Sequence, residues 1–216
     1  MQTVHDAIYQ IREIRDRIIE TQRFKGYSGR ARFLGGVLAM SVALVMNMSW
    51  YPHRVRVHIA GWVIVAFISF AGNYLALIIW YVRTYGNMRN ARQLLPALDA
   101  FPPMIVCAVL TLAMMMNGTT QYLVGMWMCL YGLVNLSSKH VLPKSIWPLG
   151  LYYILCGAVC LRLKVDVTNP LPMGIVFLTG ETWGGLIFFK NRFPKAGITD
   201  FIILDDREGV YDGKEE

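Results

Sequence analysis

Apolar residues run through this chain in six long blocks, separated by short polar or charged connectors. None of the blocks alternates with the period of a half-buried strand, so each reads as a helix. About 20 apolar residues in helical form cross roughly 30 Å of hydrocarbon, and the blocks fall at about 32–50, 58–82, 97–116, 121–139, 145–163 and 170–189. Aromatics stand at their edges. Trp50 and Tyr51 close the first block, Trp80 and Tyr81 the second, and Trp147 opens the fifth, as in an interfacial belt. Asp99 ahead of Phe101-Pro102-Pro103 reads as a cap before a proline-led helix start.

The segment before the first block has a different pattern. Val4, Ile11 and Ile18 stand seven apart, Ala7 and Ile14 take the complementary positions, and Ile8 lies beside them. Arg12, Glu13, Asp16, Arg17 and Glu20 occupy the other face, so the arm is an amphipathic helix with Val4, Ile8, Ile11, Ile14 and Ile18 as its interface. Arg12, Arg15, Arg17 and Arg23 supply most of its positive charge, which favours docking on a membrane surface or a partner over self-association. The expected organisation is an arm (1–29), a six-helix transmembrane domain (30–190) and a tail (191–216). In the tail, Phe201 to Leu204 suits a short strand or a surface anchor, and Asp205 to Glu216 is acidic.

Composition agrees with this picture. Hydrophobic residues make up 55% of the chain and charged residues 16%, against roughly 25% charged in a soluble domain. Of the 21 lysines and arginines, four (Arg54, Arg56, Arg162, Lys164) fall in the first and fifth connectors. The other seventeen fall in the arm, the second and fourth connectors and the tail, which places both termini in the cytoplasm. Anionic lipid head groups account for the net charge of +7, and no aromatic–basic module points to nucleic acid. The expected fold class is therefore all-α: a polytopic membrane protein with six transmembrane helices and an N-terminal amphipathic helix. Cys107, Cys129, Cys156 and Cys160 all lie in apolar blocks and read as buried thiols.

Glu181 stands out against this background, in the middle of the sixth block. A carboxylate at that depth costs about 2.5–3.5 kcal/mol or more, so it is a functional candidate by default. Asn73, at comparable depth in the second block, is the expected hydrogen-bond partner of a neutral Glu181. Gly180 and Gly184 flank it with a small-xxx-small spacing that lets another helix approach closely. No nucleophile elbow, zinc-protease helix, phosphate loop or dinucleotide fingerprint is present, and no Ser/His or Asp/Asp pair stands at depth. No enzyme, cofactor or metal is expected. A soft-metal site at Met46, Met48, His53, His58, Met114 and Met126 is the weaker alternative, since thioether and imidazole suit copper(I).

Ile11-Arg12, Arg23-Phe24 and Ser28-Gly29 lead straight into a first block carrying Gly35-Gly36. This arm resembles that of a family of uncharacterised bacterial inner-membrane proteins with an I-R…R-F-x-x-x-S-G motif before six helices. Leu130-Tyr131-Gly132-Leu133, Leu149-Gly150 and the glycine-rich sixth block are similar in style. The resemblance implies a multi-pass protein of the bacterial inner membrane and carries no activity. Together these features point to a non-catalytic accessory or assembly subunit. It would contact membrane lipids and bind another membrane protein, or a second copy, through its arm, helices and tail. The alternative is a small proton-coupled transporter or membrane sensor using Glu181.

Overall fold

The computed structural model describes residues 10–11, 28–85, 101–137, 144–193, 197 and 201. Among these the chain is all-α, with helices α1 (Gly29–Met46), α2 (Val55–Tyr85), α3 (Phe101–Met116), α4 (Leu123–Ser137), α5 (Trp147–Leu163) and α6 (Leu171–Arg192). One-turn 3₁₀ segments precede α4 and α5. By length and composition α1, residues 55–79 of α2, and α6 can each cross a membrane, while α3 and α5 are shorter apolar helices. Ahead of Ser28, the described arm residues are Gln10 and Ile11; they are helical, and Ile11 is exposed. Val4, Ile8, Ile14 and Ile18 lie outside the described residues, as does Asp99.

Ser28 starts α1 by accepting the Ala31 amide through Oγ, 3.3 Å away, the role of an N-cap. Pro102 and Pro103 stand in the first turn of α3, where a missing N–H costs nothing. Within the bundle, glycine decides which helices meet. On α1 the buried positions Gly29, Arg32, Gly36, Ala39, Ala43 and Met46 alternate by three and four, forming one stripe. That stripe runs antiparallel to α6. A methyl on Gly29 would stand 2.5 Å from the Gly185 carbonyl, and one on Gly185 2.7 Å from the Gly29 carbonyl. Helices α4 and α5 repeat the device, with Gly125 against Gly157 and Gly132 against Gly150. Backbones thus touch where lipid offers no hydrophobic drive for association, and close packing supplies the attraction.

Two apolar clusters fill the bundle. One joins the end of α1 and the start of α2 to α4 and the start of α6, around Met46, Trp62, Trp127, Met128 and Met173. The other lies towards the start of α1, around Ile146, Leu149, Tyr153 and Phe188. α3 is peripheral: its buried residue is Thr111, whose Oγ1 accepts the Trp127 indole N–H at 2.9 Å. The tail returns at Phe201, which is helical and buried, with its ring edge-on to Phe33 and Phe189 at centroid distances of 5.7 and 5.2 Å. Its carbonyl accepts from Arg30 Nε at 3.2 Å. At this residue the tail packs into the bundle and is not a strand.

Candidate functional site: a buried ion pair joining four helices

Glu181 is the middle residue of α6 and is 5% exposed. Its partner is not Asn73, whose side-chain amide donates to the Ser69 carbonyl one turn back on α2 at 2.9 Å. The partner is Arg32, on the second turn of α1. Arg32 Nε donates to Glu181 Oε2 at 2.7 Å and Nη2 to Oε1 at 3.3 Å. This two-point contact is the geometry in which a planar guanidinium binds a carboxylate most specifically.

Two tyrosines complete the carboxylate's shell. The Tyr131 hydroxyl, from α4, donates to Glu181 Oε1 at 2.8 Å, and that of Tyr153, from α5, at 2.7 Å. Arg32 Nη2 also donates to Asn135 Oδ1 at 2.7 Å, while Asn135 Nδ2 returns to the Tyr131 carbonyl at 2.9 Å. The guanidinium carbon lies 5.7 Å from the centre of the Phe188 ring, close enough for a cation–π contribution. One carboxylate therefore ties α1, α4, α5 and α6 together.

Local sequence makes the room. A methyl on Gly180 would strike the Tyr153 hydroxyl, and one on Gly184 would stand 2.6 Å from Arg32 Nε. Gly36 lets α1 pass the Glu181 side chain, 2.8 Å from the site its own Cβ would take. The small-xxx-small pair thus admits two polar side chains, and it is Gly185, one residue on, that admits a backbone. Asn135 and Tyr131 stand four apart on one face of α4, so a single turn presents both to the pair.

A carboxylate offers about four lone-pair sites. Arg32 Nη2, Tyr131 and Tyr153 converge on Oε1 and fill it, while Arg32 Nε alone meets Oε2, which keeps one site. The chemistry this permits is charge neutralisation and cross-linking of helices. The site that Oε2 keeps belongs to a side chain 7% exposed, where water has little access.

Three of the six soft-metal candidates share the first apolar cluster. Met46 and Met126 are buried in the first apolar cluster, with Met114 half-buried against it. Met48 is exposed and accepts the Trp50 indole N–H at 3.2 Å. His53 is exposed, and His58 is fully buried with the two rings stacked at 6.0 Å. No group of three or more His, Cys, Asp or Glu comes together among the described residues. Comparison with known proteins finds no family model, curated protein or solved structure that matches the chain.

Proposed function

We propose that this chain is a non-catalytic, multi-pass membrane protein that serves as an accessory or assembly subunit. On this reading it spans the bacterial inner membrane six times with both termini in the cytoplasm. It holds another membrane protein, or a second copy, through its arm, lipid-exposed helices and tail. The observation that carries the reading is the buried shell of Glu181, closed by Arg32, Tyr131 and Tyr153. An acid that couples transport has to exchange its proton, whereas Glu181 is held by a permanent cation and two hydroxyls. Such a pair serves to lock one arrangement of four helices.

The second reading, a proton-coupled transporter or sensor, draws on the mid-span depth of the same acid. One experiment separates the two. The purified full chain is placed in proteoliposomes under a pH gradient and proton flux is followed with an entrapped dye. In parallel, cross-linking mass spectrometry on native membranes compares the full chain with a form lacking residues 1–24. The accessory reading expects flux equal to empty liposomes and a stoichiometric cross-linked neighbour that is lost with the arm. Flux that the double variant Arg32→Gln/Glu181→Gln removes while keeping its fold would overturn it.

A further inference from the structure

Tryptophan in a membrane helix belongs at the water boundary. Trp183 lies deep in α6 instead, about 18 Å along the axis from Leu171 and about 14 Å from Arg192. It is 43% exposed on the outside of the bundle, and among the described residues its indole N–H meets no acceptor. A donor left bare in hydrocarbon is costly, so this side of α6 calls for one.

Acceptors stand beside it. Thr179, exposed one turn earlier on the same face, donates its hydroxyl hydrogen to the Ile175 carbonyl at 2.9 Å. The Tyr152 hydroxyl, from α5, is bonded to Thr179 Oγ1 and lies 3.3 Å from the Val176 carbonyl. Each hydroxyl has one hydrogen and two lone pairs. Thr179 spends its hydrogen on Ile175 and Tyr152 on Thr179 or Val176, so the pair has only lone pairs left to offer. The Tyr152 ring stands edge-on to the Trp183 ring at 6.2 Å, which makes donor and acceptors one patch. Ile175, one turn before Thr179, and Leu155, three residues after Tyr152, are exposed and apolar.

Such a patch complements itself. Two copies inserted the same way round, related by a two-fold axis along the membrane normal, keep every residue at its own depth. Trp183 of one then lies a single turn, about 6 Å along the axis, from Thr179 of the other. Lipid tails offer no acceptor there. Glu181, two residues before Trp183, ties α6 to three other helices, so the face is presented ready-made.

We propose that the face formed by Trp183, Thr179 and Tyr152 is the interface of a two-fold dimer, each copy's indole N–H donating to the other's hydroxyl pair. The dimer rests on the assembly-subunit reading and gives it one face and one partner. The test places the full chain, with a donor or an acceptor fluorophore on its C-terminus, in liposomes at falling protein-to-lipid ratio. Energy transfer follows a monomer–dimer curve. Trp183→Phe removes both donors of the symmetric pair, and Thr179→Val/Tyr152→Phe removes the acceptors. Each raises the dissociation constant by about tenfold or more, whereas Phe67→Ala, on the exposed face of α2, leaves it unchanged. Thermal midpoints at ratios where every form is monomeric show which variants are folded, and if one is not, the other decides. No transfer at any ratio, or a dimer that a folded variant leaves at full strength, overturns the proposal. That failure stays separate from failure of the assembly reading, which turns on proton flux and the arm-dependent neighbour.

Discussion

Changing Glu181 to glutamine alters almost nothing in shape and removes one charge, leaving Arg32 buried without its counter-ion. The guanidinium keeps Asn135 Oδ1 at 2.7 Å and a neutral amide oxygen in place of the carboxylate. Its side chain is 9% exposed, so water can do little to compensate. Breaking a buried pair from one side costs about 3–5 kcal/mol. For a chain of this size each kcal/mol moves the midpoint by roughly 2–4 °C, so Glu181→Gln should lower it by about 6–20 °C. Arg32→Gln leaves the reverse orphan and should cost a similar amount. The double variant Arg32→Gln/Glu181→Gln carries no charge, and its two amides can still bond to each other, to Tyr131 and to Tyr153. It should recover to within about 2 kcal/mol of the original chain. The cycle is measured by thermal unfolding in detergent, and again at high salt, where a surface pair weakens and a buried one does not. A cost under about 1 kcal/mol for Glu181→Gln, or additive single effects, would show that Glu181 stands neutral and unpaired; the ion-pair reasoning would then fail.

Glycine positions give graded expectations in the same assay. Gly180→Ala pushes the Tyr153 ring off Glu181 and should cost about 1–3 kcal/mol. Gly157→Ala, 2.7 Å from the Gly125 carbonyl, should cost at least as much because a backbone cannot turn aside. Gly72→Ala meets nothing within 4 Å on α2 and should be neutral or stabilising by up to about 1 kcal/mol. Thr111→Val leaves the Trp127 indole N–H unmet and should lower stability by about 1–3 kcal/mol. Phe201→Ala empties the space between Phe33 and Phe189 and should speed cleavage of the tail in limited proteolysis, with the helices left intact.

Why the helices were legible and the site was not comes down to Arg32. Block length and apolar content located all six helices α1–α6 among the described residues to within a few residues, because lipid demands that the backbone satisfy itself locally. Packing partners carry no such local signature. By the positive-inside count Arg32 is one more cation before the first block, interchangeable with Arg30. The difference lies in Ser28, which caps α1 and starts the helix four residues earlier than Arg32. From there the three–four spacing through Gly29, Arg32, Gly36 and Ala39 places the guanidinium on the buried stripe, not in a connector. A capped helix start followed by glycine at that spacing separates Arg32 from Arg30, and charge per segment does not carry that distinction. Asn73 misled for the complementary reason: equal depth in two helices is no contact, and its amide is spent within α2. The proposed orientation is unaffected, since removing Arg32 from the count on the side of the termini leaves sixteen cations against four. What changes is the meaning of Glu181. An intramembrane acid met without its cation looks like a proton carrier, and with Arg32 beside it the same acid becomes the fastener of α1, α4, α5 and α6.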